Sequence, residues 1–141
     1  MTGYLVDTNV ISEARKGAKG NPGVRAFFRR AGQEEAQVFI SVVTLGELRR
    51  GVELIRHRGD KRQANRLETW LEALLVTYRD HILEITPDIA QLWGRLRVPH
   101  PENALDKQIA ATALIYDLTV VTRNHGDFSR TGARLLDPFT E

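Results

Sequence analysis

Cysteine is absent from the 141 residues, which excludes disulfide scaffolds, cysteine-ligated zinc, iron–sulfur clusters and thiol chemistry together. Any metal must be held by oxygen or imidazole. The four histidines (His57, His81, His100, His125) show neither a helical i, i+4 pair nor a zinc spacing, so they are expected on the surface or in loops. No apolar run reaches the roughly 18 residues of a spanning helix, and Met1 to Val10 carries no basic segment leading into an apolar stretch. The expectation is a cytoplasmic protein with no membrane association. Charge of one sign is also lacking overall, with 20 Lys and Arg against 18 acids for a net +2.

The length suits one domain spanning 1–141, and 42% hydrophobic with 27% charged residues allows a packed core rather than disorder. Sixteen of the twenty cations are arginine, the side chain best matched to phosphate and carboxylate forks. They are segregated: Arg49, Arg50, Arg56, Arg58, Lys61, Arg62 and Arg66 face only Glu53 and Asp60 in the same stretch, a local net of +5. Such a patch suits a nucleic-acid backbone, and equally a solvated helix face.

Short β-branched or aromatic runs alternate with amphipathic stretches. Tyr4-Leu5-Val6 predicts a strand, followed by a helix over Val10 to Lys16; Gly17 to Gly20 is a turn, and Asn21-Pro22 caps a second helix bearing Val24, Phe27 and Phe28. Val38 to Val42 predicts a strand, and Leu45, Leu48, Val52 and Ile55 the apolar stripe of the next helix. Asp60 opens another helix with Leu67, Trp70, Leu71, Leu74 and Leu75; Ile82 to Ile85 is a brief strand; Thr86-Pro87 starts a helix through Ile89, Leu92, Trp93 and Leu96. Val98 to Ala104 reads as a loop, Leu105 to Tyr116 as a helix of small residues, Leu118 to Thr122 as a strand, Arg123 to Gly132 as a polar loop and Arg134 to Leu136 as a last strand. Strands separated by helices imply a mainly parallel sheet covered on both faces, a three-layer α/β/α domain. The two tryptophans lie in apolar stripes, in the core or at a dimer interface.

In an open parallel sheet, ligands bind beyond the carboxyl ends of the strands. Four acids fall there: Asp7 after the first strand, Glu47 early in the helix after the second, Asp106 at the start of the helix before the Val120 strand, and Asp127 in the loop after it. Each has an ordinary alternative: an N-cap for Asp7, a helix-dipole partner for Glu47, a capping box between Asn103 and Asp106, turn chemistry for Asp127. Asp106 nevertheless shares a helix face with Ile109, Ala110 and Ala113, and Asp7 ends an apolar strand, so both carboxylates need partners. Two carboxylates about 4 Å apart repel by roughly 4 kcal/mol at an effective dielectric near 20. A cluster would therefore protonate or recruit a hard divalent ion, Mg²⁺ or Mn²⁺.

The blocks Leu5-Val6-Asp7-Thr8-Asn9-Val10-Ile11-Ser12-Glu13, Ser41-Val42-Val43-Thr44-Leu45-Gly46-Glu47-Leu48-Arg49-Arg50-Gly51, Asp106-Lys107-Gln108-Ile109-Ala110-Ala111-Thr112-Ala113 and Val121-Thr122-Arg123-Asn124-His125-Gly126-Asp127-Phe128 resemble the signature blocks of PIN-domain ribonucleases. More narrowly they are similar to the VapC and FitB-like toxins of bacterial toxin–antitoxin pairs, in order and over essentially the whole chain. The resemblance implies a PIN-like α/β/α domain that cleaves RNA with Mg²⁺ or Mn²⁺. Asp7, Glu47 and Asp106 match the near-constant acids and Asp127 the variable fourth, with metal ligands at Asp7, Asp106 and Asp127. Thr8, Asn9, Thr122 and Asn124 match the polar residues that orient them. The proline-rich Val98 to Ala104 departs from the glycine-containing loop of the family. Arg15, Lys16, Arg49, Arg50, Lys107 and Arg123 lie beside the acidic blocks and are candidates for contacting RNA phosphates. The implied partners are a cognate antitoxin, the RNA and a second copy of the chain in a homodimer.

Other readings are a housekeeping RNA-processing nuclease of the same family and a non-catalytic module whose acidic pocket receives a basic peptide. Asp-dependent phosphotransfer domains fit less well: a dehalogenase-type phosphatase wants an acid at position 9, which is Asn9, and a receiver wants a lysine where Arg123 stands.

Overall fold

A computed structural model of the chain describes residues 3–140. Five strands, β1 (Gly3–Val6), β2 (Gln37–Ser41), β3 (Ile82–Leu83), β4 (Thr119–Val121) and β5 (Arg134–Leu136), form one sheet in the order β3-β2-β1-β4-β5 with every pairing parallel. The helices are α1 (Thr8–Ala14), α2 (Pro22–Gln33), α3 (Val42–His57), α4 (Lys61–Thr77), α5 (Pro87–Leu96), α6 (Ala104–Tyr116) and the single turn α7 (His125–Phe128). This is the three-layer α/β/α arrangement expected. None of the described helices is long and apolar enough to cross a membrane.

The layers follow from strand periodicity. In β1, Leu5 faces the cluster of Ile109, Ala110, Ala113 and Phe128 under α6 and α7. Val6 faces the opposite cluster of Val10, Ile11, Val24, Phe27, Leu48, Val52 and Leu71 under α1 to α4. Val120 and Val121 divide in the same way. Small residues at 110, 111 and 113 let α6 lie close on the sheet, and all three are fully buried. Phe27 meets Tyr4 and Phe28 edge-on at 5.0 and 5.1 Å, the favoured aromatic geometry.

Caps set the boundaries. Asn21 Oδ1 accepts from the amides of Gly23 and Val24, Thr86 Oγ1 from Ile89, and Asp60 Oδ1 from Gln63. Strand two stops one residue short of the expected Val42, because Ser41 Oγ accepts from the Val43 amide and starts α3 there. That local bond overrides the β-preference of Val42-Val43. The first helix runs from Thr8 to Ala14, leaving Lys16 outside it, and the expected loop 123–132 contains α7. Between α3 and α4, Gly59 adopts φ +96°, open to glycine without strain.

The strand order reverses direction at β1, where the chain builds β2 and β3 on one side and later β4 and β5 on the other. The crevice beyond the carboxyl ends of β1 and β4 is thus the expected binding position.

Candidate active site

Asp7 follows β1 directly and is buried, its amide bonded to the Val121 carbonyl at 2.9 Å. Its carboxylate is held on both sides. Oδ1 accepts from the Thr8 amide at 2.8 Å; Oδ2 accepts from the Thr122 hydroxyl at 2.8 Å and from Asn9 Nδ2 at 3.3 Å. Asn9 Nδ2 also reaches Thr122 Oγ1 at 3.3 Å, and Asn9 Oδ1 accepts from the Arg123 amide at 3.2 Å. Thr122 Oγ1 takes a further bond from the Asn124 amide at 3.0 Å, so this hydroxyl donates once and accepts twice, its full capacity. The network fixes Asp7 in one orientation. Asp7 is the N-cap of α1 as well, so the capping role and a site role coexist in one side chain.

Glu47 projects from α3 and Asp106 from the first turn of α6, both partly buried. With Asp7, Thr8, Asn9, Leu105, Ile109 and Asn124 they line one cavity of about 280 Å³. Three carboxylates and no cation lie on its wall. Burial pushes Asp7 above the usual carboxylate range, against the Thr122 and Thr8 hydrogen bonds and with the Glu47 and Asp127 charges. Asp106 is pushed up to about 6, by burial first and then by the charges of Asp7 and Asp127, a hydrogen bond shared with Asp127, and Glu47. Asn103 makes no side-chain cap bond, so the capping box does not form and Asp106 is not drawn back to the helix start. Asp127 is exposed and lines the neighbouring cavity instead, its charge reaching the first from the rim.

The donor set is all oxygen, which fits a hard divalent ion in chemistry. Among the described residues no three acidic or imidazole groups converge closely enough to form a ligand set for one ion. An ion here would take one or two of these carboxylates and keep water on its other faces, the usual habit of Mg²⁺.

The basic residues named from sequence divide. Arg15 borders a groove with Leu67 and Trp70, Arg50 is exposed beside Glu47 and Leu105, and the Arg123 guanidinium lies 4.6 Å from the Phe139 ring centre. Lys16 pairs with Glu13 at 3.0 Å, and Arg49 with Glu68 at 2.6 Å and Glu53 at 3.3 Å. Lys107 is a correction to the phosphate-contacting set: it is buried, and its ammonium donates to the His100 carbonyl. The +5 stretch is partly neutralised, because Glu68, beyond its end in sequence, binds Arg49 and Arg56. The hint was there: Arg49 and Glu68 stand almost symmetrically about the Gly59 turn, where an antiparallel helix pair brings them together.

The PIN domain family model matches residues 4–134. Toxin FitB of Neisseria gonorrhoeae is 33% identical, covering 96% of this chain and 97% of its own. The crystal structure of FitAcB from the same species superposes with a TM-score of 0.83 at 32% identity, over 98% of this chain and 99% of that one. VapBC-5 from Mycobacterium tuberculosis, a member of the VapBC family of toxin–antitoxin systems, superposes at 0.58 with 25% identity, over 96% and 97%. With the acidic cavity at the switch point of a parallel sheet and a family match over nearly its whole length, this chain belongs to the PIN-domain family.

Proposed function

We propose that this chain is the toxin of a toxin–antitoxin pair and that it hydrolyses RNA phosphodiesters internally, as an endoribonuclease dependent on Mg²⁺ or Mn²⁺. The observation that carries the reading is the cavity of Asp7, Glu47 and Asp106, carboxylates gathered with no internal counter-charge at the carboxyl edge of the sheet. Asp7 and Asp106 would hold the ion, with Asp127 at the rim acting through water. Bound there, the ion would lower the pKa of its water and offset charge on the scissile phosphate.

The chain's own residues supply the rest. Thr122 and Asn9 hold the Asp7 oxygens in fixed directions, so that carboxylate need not reorganise during the reaction. Glu47, across the cavity, would orient the attacking water and accept its proton. The Asn124 side-chain amide has no hydrogen bond among the described residues and lines the cavity, so it is available to a phosphate oxygen. Arg15, Arg50 and Arg123 would meet flanking phosphates, and the same cavity would accept a guanidinium from the antitoxin. RNA as substrate would place the protein in the cytoplasm. Exposed Leu114, Ile115 and Tyr116 on α6 and Leu75 and Val76 on α4 are apolar surface that a homodimer would cover.

The test is incubation of the purified chain with total RNA in Mn²⁺, in Mg²⁺ and in excess chelator, with ends mapped. Metal-dependent internal cuts are expected, lost in Asp7→Asn with circular dichroism unchanged. Cleavage that survives the chelator or the substitution would refute the reading. Growth arrest on expression, relieved by a small neighbouring gene product, separates a toxin from a housekeeping nuclease.

A further inference from the structure

A larger cavity lies beside the acidic one. About 480 Å³ opens between the loop after α5 and the α7 segment, lined among others by Val98, Pro99, His100, Asn103, Asp127 and Arg130. That volume is in the range of small-ligand sites. The two cavities share a wall. The start of α6 presents Leu105 and Asp106 to the acidic cavity but Lys107, with Asn103 just before the helix, to this one; Asn124, just before α7, faces the first, and Gly126 and Asp127 within α7 the second. A strand crossing the acidic end over this wall enters the larger cavity next.

A positioned cation stands in it. Arg130 Nη1 lies 2.9 Å from His100 Nε2. A guanidinium only donates, so Nε2 must accept and the imidazole proton sits on Nδ1, facing Glu102 Oε1 at 3.4 Å. The His100 carbonyl in turn accepts from the Lys107 ammonium. His100 is thereby held on three sides and aims Arg130, which makes no ion pair among the described residues and keeps its other N–H groups for a ligand. Leu96, Val98 and Pro99 form an apolar wall, and the Asn103 side-chain amide has no hydrogen bond among the described residues. A guanidinium, an apolar face and a free amide are the components that recognise a phosphate, a base face and a base edge.

We propose that this cavity is a nucleotide subsite holding the residue of the RNA strand next to the scissile phosphate, with Arg130, positioned by His100, on that residue's phosphate. The proposal rests on the reading of the acidic cavity as an RNA-cleaving site. Glu102 and Asp127 also border the subsite; the first faces the imidazole, and the charge of the second would be offset by the ion. Among the cations near the acidic end, Arg49, Lys16 and Lys107 are already engaged, so Arg130 joins Arg15, Arg50 and Arg123 as an anchor for a polyanion arriving at a negative site.

The experiment measures binding of a short single-stranded RNA of mixed sequence to the full chain in an Asp7→Asn background, by fluorescence anisotropy, and cleavage of the same RNA by chains with Asp7 intact. Arg130→Ala is expected to weaken binding about tenfold. It should lower the salt dependence by about one phosphate contact, and in cleavage raise KM more than it lowers kcat. Arg29→Ala, on α2 and lining neither cavity, is the charge control. Equal affinity in Arg130→Ala, or an equal loss in Arg29→Ala, would overturn the subsite whether or not the chain cleaves RNA. Absence of metal-dependent cleavage alongside a loss specific to Arg130→Ala would overturn the nuclease reading and leave an RNA-binding site. The two failures are separable.

Discussion

Glu47 and Arg49 stand two positions apart on α3, roughly 200° round the helix, and they enter opposite electrostatic worlds. On the Arg49 side the α3–α4 hairpin balances its own charges: Arg49 and Arg56 reach Glu53 and Glu68 at 2.6 to 3.3 Å. Hydrogen bonding to Arg49 holds Glu68 below the usual carboxylate range, and Glu68 and Glu53 raise Arg49 and Arg56. On the Glu47 side the direction is reversed: burial raises both Asp7 and Asp106, the charges of Glu47 and Asp127 add to each, and the charge of Asp7 adds to Asp106. Carboxylates in one fold thus belong to a closed network in one place and an open one in another. No cation among the described residues lines the open one, and the proposed site rests on that imbalance.

The largest effect should come from removing a charge on the open side. Asp106→Asn is expected to reduce RNA cleavage by about a hundredfold or more, while thermal melting of the metal-free protein stays level or rises, because a repelled, half-buried carboxylate has been neutralised. Loss of activity and gain of stability in one substitution is the signature of a site held against its own repulsion. A clear fall in melting temperature would mean Asp106 is satisfied internally, and the contrast with the hairpin would vanish.

The pH dependence sharpens the same contrast. The folded-state pKa of Asp106, about 6, lies above the ordinary 3.8, and Asp7 shifts in the same direction. A raised carboxyl binds its proton more tightly in the folded than in the unfolded chain, so its destabilising effect is complete above the folded value and is relieved as pH falls from about 6 toward 4. The metal-free chain should therefore melt a few degrees higher near pH 5 than near pH 7. Glu68 pulls the other way, since its lowered value gives stability lost only at lower pH. Saturating Mn²⁺ should raise the pH 7 melting point and flatten the profile. An unchanged melting temperature between pH 7 and 5 would contradict a strained carboxylate pair.

The open side was more legible in sequence than the closed side, for a physical reason. Asp7, Glu47 and Asp106 each sit at a fixed local position, after a strand or within the first two turns of a helix, and a parallel sheet sends such positions to one edge. Asn21-Pro22 and Thr86-Pro87 were equally plain, because capping is decided within three residues. Long-range company was harder to read, hinted at for Arg49 and Glu68 by their placement about the Gly59 turn and unmarked for the rest. Glu68 meets Arg49 across 19 positions, Arg130 meets His100 across 30, and Lys107 turns inward onto a carbonyl seven residues back. Helix periodicity fixes the face a side chain leaves from, not what waits opposite. The Ser41 cap shows the reverse failure, one hydrogen bond outweighing the strand preference of two valines.

The smallest expected effect tests the closed side. Glu68→Gln keeps the shape of the side chain but removes the charge shared by Arg49 and Arg56, leaving both to Glu53 alone. Because the pairs are largely solvated, screening already reduces their value, and melting should fall by only about one or two degrees at low salt. The loss should shrink in about 0.5 M salt, where the screening length is only a few ångströms. Metal-dependent cleavage should not decline, since neither arginine lines the acidic cavity. Arg49 freed from its partner does, however, sit on the same helix as Glu47, so tighter RNA binding at low salt with unchanged kcat would reveal the hairpin as a phosphate contact that Glu68 masks. A loss of melting temperature that persists in high salt would show that the network is built into the packing of α3 on α4, and the two regions would then differ in sign but not in strength.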